Sequence, residues 1–443
     1  MKGDRVRKII FTCFVLSFLL SFNVFSTESN ILRIHGSNTV GANLAPKLVT
    51  TWLTHKGYNI ISNKITAKEE RNIVALKSGS KIEVEIHAHG SSTSFKDFAA
   101  GKTDVGMSSR PVKDKEVKKL SSLGNMAGKD SEYVIALDGL PIIVHKSNPL
   151  MQLSKDIVKQ IFTGKITNWS QLGLKHGRIN VYARDDKSGT YDTFKSLVLG
   201  KKNPLIKTAK RFESNALLSD EVSKDQNAIG FVGLAYVRNS KVLSISDKGT
   251  RALKPGTFSV ATEDYVLSRR LFMYIPEKNP HPLAKDFVKF AASSGADNIV
   301  ENIGFISQAI SGYRVALPKN APKEYLQYTT GAFRLSLNVR FKSGSIKLDN
   351  KAIRDVERLV EYLESPENKH RKLLLFGFAD KHEVIPYVSD SFSVSRADAV
   401  ADYLANSKIF PVRVRGYGHK MPVANNVTTA GRYKNRRVEI WMM

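Results

Sequence analysis

The chain has 443 residues, a formal net charge of +27 at pH 7 and one cysteine, Cys13. This length is sufficient for two or three domains with buried cores. Because Cys13 lies within an apolar N-terminal run, the rest of the chain has no disulfide, no thiol nucleophile and no thiolate metal site.

The N-terminus predicts a secretory signal peptide over residues 1–26. Its first eight residues are basic on balance, and a long apolar run follows them. Val24 and Ser26 suit the positions before a cleavage point, which places the mature start near Thr27. An uncleaved membrane anchor is the alternative, because the apolar run approaches the ~18 residues that a spanning helix needs.

The high positive charge raises the question of a nucleic-acid partner. Export argues against nucleic acid, and the sequence shows neither a basic helix face nor an aromatic stacking motif. We therefore expect no nucleic-acid partner. The charge indicates either a soluble surface that attracts anions through its long-range field or a specific site for a polyanion.

Short apolar strands alternate with amphipathic helices from Ile31 to about Ala316, which is the pattern of an α/β domain. The predicted strands are 31–35, 81–87, two within 136–146 on either side of an Asp138-Gly139 turn, 179–183, 229–232 and 271–275. The predicted helices are 43–55, 155–162, 191–199, 215–224 and 282–293.

Two prolines, Pro318 and Pro322, indicate a linker over residues 317–330. It separates a domain at 27–316 from a smaller α+β domain at 331–443. In the smaller domain the predicted elements are strands at 331–341, 372–378, 412–416 and 437–441 and helices at 350–363 and 393–404.

Three of the predicted strands run into turns rich in hydroxyl groups and glycine, and each turn opens a helix. The turns are His35–Gly41, His89–Thr93 and Asp186–Thr190. Such a turn offers backbone N–H groups, hydroxyl donors and the positive end of a helix dipole. Arg184, whose guanidinium suits a tetrahedral oxyanion, precedes the third turn. Together the three turns predict an oxyanion receptor.

These turns and the segments between them resemble the PstS family, the periplasmic phosphate-binding proteins of ABC transporters. The matching stretches are Gly36–Val40, His89–Thr93, Asp104–Pro111, Leu137–Lys146, Ile161–Trp169 and Arg184–Thr190. The resemblance implies an α/β fold of two lobes joined by a hinge, with inorganic phosphate held in the cleft. We expect no cofactor, no metal and no enzymatic activity, because the sequence shows neither a metal cluster nor an activated nucleophile.

The resemblance also implies which residues bind phosphate, namely Thr39, Val40, Ser91, Ser109, Arg110, Arg184, Ser188, Gly189 and Thr190. Arg184 would donate to two phosphate oxygens, and Asp186 would hold this arginine in place. Ser109 stands where the family often has a carboxylate that accepts the proton of hydrogen phosphate. A hydroxyl gives no charge-based rejection of sulfate, so selectivity stays open. Asp138 is the candidate replacement acceptor, and an ordinary turn aspartate is the alternative.

Two other candidate sites are weaker. His87 and His89 lie two apart on one strand face, as metal ligands can, but no third ligand lies nearby in the sequence. We predict a structural role for both. Ser188 has no companion histidine pattern and no nucleophile elbow, which disfavours nucleophilic catalysis.

The last domain resembles the OmpA-like peptidoglycan-binding family. The matching residues are Asn338–Phe341, Ser343–Ser345, Gly377–Asp380, Phe392–Ala397, Val400, Tyr403–Leu404 and Gly431–Glu439. The resemblance implies that Asp380 binds the ammonium, and Arg396 the carboxylate, of a diaminopimelate side chain in the cell wall. Asn435 and Arg437 are further candidates for the pocket wall, with a surface ion pair as the alternative for Arg436 or Arg437.

The sequence therefore predicts a phosphate-binding protein in the periplasm of a Gram-negative bacterium, held non-covalently on peptidoglycan and serving phosphate uptake or sensing. An ABC permease or an envelope sensor is the expected further partner. One alternative is an envelope structural or adhesion protein whose receptor fold no longer binds phosphate. Another is a receptor for a different oxyanion such as sulfate.

Overall fold

The computed structural model describes residues 30–200, 202–318 and 320–443, so the predicted signal peptide lies outside the described residues. In this part of the chain no helix is long and apolar enough to cross a membrane. Three sheets, of seven, six and five strands, organise the described residues. Two of them build the two lobes of the α/β domain, and the third builds the C-terminal domain.

The first lobe contains the seven-stranded sheet, in the spatial order β2-β3-β4-β1-β5-β13-β6. Its strands are β1 Ile31–Gly36, β2 Asn59–Ala67, β3 Glu70–Lys77, β4 Ser80–His87, β5 Val105–Ser108, β6 Glu132–Gly139 and β13 Ser268–Tyr274. Its helices are α1 Asn38–Gly41, α2 Leu44–His55, α3 Ser91–Ala99, α4 Asp114–Lys119, α9 Pro282–Ala291 and α10 Asp297–Ile303. Strand β1 pairs in parallel with both β4 and β5, which directs the turns after β1, β4 and β5 to one edge of the sheet.

The second lobe contains the six-stranded sheet, in the order β10-β9-β11-β7-β12-β8. Its strands are β7 Ile142–Val144, β8 Gln152–Ser154, β9 Asn180–Arg184, β10 Lys210–Phe212, β11 Ala228–Phe231 and β12 Lys241–Ser246. Its helices are α5 Lys155–Phe162, α6 Gly189–Phe194, α7 Asn215–Lys224 and α8 Thr257–Ala261. Ser154, Ser188 and Ser214 cap α5, α6 and α7 with their hydroxyl oxygens, which explains why these helices begin where they do.

The chain passes between the lobes twice, after β6 and before β13. The two crossings run side by side, and Leu140 N donates to Leu267 O over 2.9 Å. Asp138 does not lie on the predicted turn. It belongs to β6, because the ladder with β13 continues through Asp138 to Gly139, which pairs with Ser268. The predicted turn residue is therefore a strand residue at the hinge.

The C-terminal domain has a five-stranded sheet in the order β14-β15-β18-β16-β17. Its strands are β14 Gly312–Tyr313, β15 Phe333–Arg340, β16 Leu373–Phe378, β17 Arg413–Gly416 and β18 Arg437–Met442. Its helices are α11 Lys323–Thr329, α12 Asn350–Glu364, α13 Pro386–Ala405 and α14 Thr429–Asn435. The predicted linker thus contains helix α11, whose Tyr325 is buried against Phe376 and Trp441. Helix α13 begins seven residues before the predicted start at 393.

The C-terminal domain packs against both lobes beside the hinge. The buried amine of Lys434 donates to Glu263 O at 2.6 Å and Tyr265 O at 2.9 Å, in the second crossing. Arg340 pairs with Asp264 at 2.9 Å in the same segment. Arg354 donates to Glu132 O at 2.8 Å, at the start of β6 in the first lobe. The domain is therefore joined to the receptor lobes by buried polar contacts.

Candidate functional site

The three hydroxyl-rich turns meet where the two lobes touch. Thr39 at the start of α1 lies in the first lobe, and its Oγ1 is 2.9 Å from Oγ1 of Thr190 in α6 of the second lobe. A Cβ at Gly189 would lie 2.1 Å from Ser91 Oγ and 2.6 Å from Ser109 Oγ. The lobes can approach this closely because residue 189 has no side chain. We call this region the cleft site; its residues are Thr39, Ser91, Ser109, Arg184, Ser188, Thr190 and Arg269.

Arg184 ends β9 and is buried to 1% exposure. Its Nε donates to Phe212 O at 3.2 Å and its Nη2 donates to Glu213 O, both from the neighbouring segment at β10. Its Nη1 is buried and has no hydrogen-bond partner among the described residues. Burial lowers the pKa of Arg184 to about 10, and the nearby Arg269 contributes to that decrease. A buried guanidinium N–H without an acceptor is costly, which favours an anion at this position.

Arg269 on β13 is the cleft-site residue that the sequence reasoning missed. It pairs with Asp138 through Nε at 2.9 Å and Nη2 at 2.6 Å, and the same Nη2 lies 3.5 Å from Thr39 Oγ1. Its Nη1 is also buried without a hydrogen-bond partner in the described part of the chain. Arg269 thus has a carboxylate partner, whereas the hydrogen bonds of Arg184 to Phe212 and Glu213 go to backbone carbonyls. The resulting excess of positive charge suits an anion.

Asp138 is the candidate acceptor for a proton of the ligand, with an ordinary turn aspartate as the alternative, and the structure gives its oxygens other partners. Oδ2 accepts both hydrogen bonds from Arg269, and Oδ1 accepts the N–H of Leu234 at 2.8 Å. The carboxylate is completely buried. Its role in the structure is to hold Arg269 beside Thr39.

The hydroxyl groups and amides of the cleft site are arranged by the helix starts. Ser91 Oγ accepts the N–H of Ser109 at 3.0 Å, and the two hydroxyl oxygens are 3.3 Å apart. Ser188 Oγ accepts the N–H groups of Thr190 and Tyr191 as the cap of α6. The N–H of Val40 donates to Ser37 O at 3.2 Å, so this predicted phosphate donor is engaged within its own turn. The hydroxyl hydrogens can rotate toward a bound anion.

Two predicted site residues have different roles in the structure. Arg110, predicted to contact phosphate, pairs instead with Glu116 at 2.7 Å and with Asp192 at 2.9 Å. Asp186 was predicted to hold Arg184, but its carboxylate is 85% exposed and pairs with Arg211 at 2.7 Å. In the structure Arg110 is thus paired with carboxylates, and Asp186 does not contact Arg184. The resemblance gave no information on these carboxylates or on the backbone carbonyls that accept from Arg184.

Ion pairs connect the lobes on either side of the cleft site. Asp192 of the second lobe binds Arg110 and Lys113 of the first, at 2.9 and 2.7 Å. On the other side, His89 of the first lobe contacts Glu213 of the second at 3.2 Å and also Glu70 at 2.9 Å. No cluster of three or more metal-ligating side chains occurs within residues 30–443 as described. His89 is thus paired with two carboxylates, one from each lobe.

A second charged pocket lies in the C-terminal domain, which we call the C-terminal pocket; its residues are Asp380, Glu383, Arg396 and Arg436. Asp380 Oδ2 accepts from Arg436 Nη1 at 2.8 Å. Arg396 pairs with Glu383 through both terminal nitrogens, with Nη1 to Oε2 at 2.8 Å. The two residues expected to bind diaminopimelate are therefore both present in one buried pocket, each paired with a neighbour.

Asn435 and Arg437, the other predicted pocket residues, lie outside this pocket's charge network. The side-chain oxygen of Asn435 accepts the N–H groups of Val423 and Ala424 at 2.9 and 3.0 Å. Arg437 pairs with Glu439 at 2.7 Å in the buried face of β18, which excludes the alternative of a surface ion pair for this residue. Arg436, for which the sequence suggested only a surface ion pair, is buried and pairs with Asp380 at 2.8 Å.

Comparison with known proteins agrees with both domains. A PBP superfamily domain matches residues 68–294, and the OmpA family matches residues 340–436. Phosphate-binding protein PstS of Staphylococcus aureus (strain bovine RF122 / ET3-1) is 32% identical over 237 residues, which are 52% of this chain and 70% of that protein. A candidate phosphate ABC transporter substrate-binding protein of Clostridium perfringens, solved with bound phosphate, is 28% identical with a TM-score of 0.50. The match covers 62% of this chain and 99% of that one.

Proposed function

The chain belongs to the PBP superfamily, among the homologues of phosphate-binding protein PstS, and it carries an OmpA family domain; on this premise we propose that it binds inorganic phosphate in the periplasm and is held non-covalently on peptidoglycan. The cleft site is the proposed phosphate site. The C-terminal pocket is the proposed wall-binding site. Delivery of the ligand to an ABC permease or to an envelope sensor is part of the same proposal.

The observation that carries the phosphate assignment is the pair of buried guanidinium groups at the lobe contact. Arg184 Nη1 and Arg269 Nη1 are donors without acceptors in the described part of the chain, and the hydroxyls of Thr39 and Thr190 lie between the lobes at the same place. A tetrahedral oxyanion supplies several acceptors at once and neutralises the excess charge. The PstS relatives make phosphate the first candidate among such anions.

Isothermal titration calorimetry of the purified chain from Thr27 onward, with phosphate, sulfate and arsenate, tests this assignment. We expect saturable binding of one phosphate per chain. Arsenate, which has the same shape and protonation, should bind at the same site. If none of the three anions produces a binding isotherm, the cleft site is not an oxyanion site and the alternative of an envelope structural or adhesion protein gains support.

A receptor for a different oxyanion is the second candidate, and Ser109 is the observation that favours it. In the structure Ser109 lies at the lobe contact beside Ser91, and Asp138 is fully engaged by Arg269 and Leu234. Neither side chain therefore offers the uncommitted carboxylate that would reject fully ionised sulfate. A sulfate affinity equal to or above that of phosphate in the same titration would establish this second function.

The wall-binding assignment is tested by sedimentation of the full chain with purified peptidoglycan that contains diaminopimelate. We expect Asp380 to bind the ammonium group and Arg396 the carboxylate of that side chain. The Asp380→Ala, Arg396→Ala double variant should remain in the supernatant. Retention of this variant on the wall would show that the net positive charge, rather than the pocket, holds the protein there.

A further inference from the structure

The loop between β16 and α13 carries a carboxylate that the proposed wall-binding function does not use. Asp380 opens this loop, and Glu383 follows three residues later. The Glu383 side chain is completely buried, although it lies on an irregular segment. A buried carboxylate on a loop needs strong partners, and its partners are the residues of the C-terminal pocket.

Glu383 binds Arg396 in the way that a ligand carboxylate would. Its two oxygens accept from Nη1 and Nη2 of the guanidinium, with Nη1 to Oε2 at 2.8 Å. The backbone N–H of Gly344 also donates to Oε1 at 2.7 Å. This two-point geometry is the preferred one between arginine and a carboxylate, so one guanidinium edge cannot bind Glu383 and a second carboxylate together.

The other half of the pocket is paired as well. Asp380 Oδ2 accepts from Arg436 Nη1 at 2.8 Å, and Oδ1 accepts the N–H of His382 at 2.8 Å. Arg436 Nε lies 4.0 Å from Glu383 Oε1. The four side chains therefore form a linear series of alternating charges, in the order Asp380, Arg436, Glu383, Arg396. Each group that would bind the zwitterion already has a partner of opposite charge.

Arg396 does not depend on Glu383 for its position. Its guanidinium lies over the rings of Phe341 and Phe392, with centroid distances of 5.2 and 4.7 Å. It also donates to Ser345 O at 3.2 Å and Phe378 O at 3.2 Å. These contacts would hold the side chain in the same place if Glu383 moved away. Glu383 therefore determines whether Arg396 is free to bind another carboxylate, and it has less effect on where the guanidinium lies.

We propose that Glu383 is an internal competitor for the carboxylate of the diaminopimelate side chain, so that the C-terminal pocket binds the wall only after the loop at 381–385 moves and releases Arg396. This inference rests on the proposed wall-binding function of the same pocket. The observed affinity for the wall is then the intrinsic affinity multiplied by the fraction of molecules whose loop is displaced. Removing the charge of Glu383 raises that fraction.

The test compares the full chain with its Glu383→Gln variant in binding to a soluble muramyl tripeptide that ends in meso-diaminopimelate, measured by calorimetry. Glutamine keeps the shape of the side chain but loses the charge-assisted pairing, and we expect Glu383→Gln to bind at least about tenfold more tightly. Glu367→Gln is the matched control, because Glu367 is an exposed carboxylate of the same domain. It should bind like the unchanged chain. A thermal melt of each variant establishes that it is folded.

The possible outcomes distinguish the competitor role of Glu383 from the wall-binding function of the C-terminal pocket. Equal affinity of the unchanged chain and a folded Glu383→Gln variant would overturn the competitor role and leave the wall-binding function intact. If Glu383→Gln does not fold, Glu383→Asp takes its place, because the shorter side chain weakens the two-point contact and should also bind more tightly. Absence of binding in all folded proteins would overturn the wall-binding function and this inference with it. Tighter binding that disappears when Arg396→Ala is added supports both.

Discussion

Replacing Arg184 with alanine should remove most of the phosphate affinity. Arg184 is buried at the lobe contact, and its Nη1 is a charged donor with no acceptor among the described residues. Losing one partner of a buried, hydrogen-bonded charge pair costs about 2–5 kcal/mol, which is about 30- to 5,000-fold in Kd. The lower end applies if Arg269 takes over part of the pairing. The upper end applies if Arg269 stays committed to Asp138.

Calorimetry with phosphate on the unchanged chain, Arg184→Ala and Arg178→Ala measures this effect. Arg178 is the matched control, because it carries the same charge in the same lobe, two residues before β9, and its side chain is exposed. Its removal should change the affinity by less than about threefold, through the long-range field alone. Equal losses in both variants would refute the reasoning, since general positive charge rather than a buried partner would then account for binding. Far-ultraviolet circular dichroism shows whether each variant keeps its fold.

The remaining predictions concern selectivity, lobe contact and acid stability. In Ser109→Asp, sulfate should compete with phosphate for the cleft site about tenfold or more weakly, because a carboxylate accepts the proton of phosphate and repels sulfate. Competition by sulfate as strong as in the unchanged chain would contradict this prediction. Gly189→Ala should weaken phosphate binding by about tenfold or more, because the added Cβ would lie 2.1 Å from Ser91 Oγ and keep the lobes apart. An unchanged affinity in calorimetry would contradict this prediction. Burial alone would raise the pKa of Glu439, but Arg334 and Arg437 lower it to about 2. Stability in urea should therefore fall as the pH drops from about 4.5 toward 2, and this decline should be smaller in Glu439→Gln.

The architecture could be predicted from the sequence because its signals are local. Alternating strands such as β4, capped helices such as α5 and the hydroxyl-rich turns each lie within a dozen residues, and both family resemblances rest on such segments. The hairpin of β2 and β3 was not predicted. Most of β2 is exposed and polar, so it lacks the apolar periodicity on which strand prediction depends.

The partners of individual charged residues could not be predicted because they are brought together by the fold. Arg269 becomes part of the cleft site only when β13 pairs with β6, which places it beside Asp138, 131 positions earlier in the chain. Arg110 finds Asp192 across the lobe contact in the same way. Family resemblance supplied the types of residue at the site, but the pairing of each charge depends on long-range packing.

Both sites contain buried arginines, but their guanidinium groups differ in how fully they are hydrogen-bonded within the protein. In the C-terminal pocket the guanidinium of Arg396 donates to Glu383, Ser345 O and Phe378 O, so its hydrogen-bonding capacity is used within the protein. At the cleft site Arg184 and Arg269 each keep a buried nitrogen without an acceptor in the described part of the chain. Burying a charged donor without an acceptor destabilises a fold, and an arriving anion offsets that cost. An anion at the cleft site would therefore meet donors that lack a partner in the described part of the chain, whereas a carboxylate at the C-terminal pocket would have to displace Glu383 from Arg396.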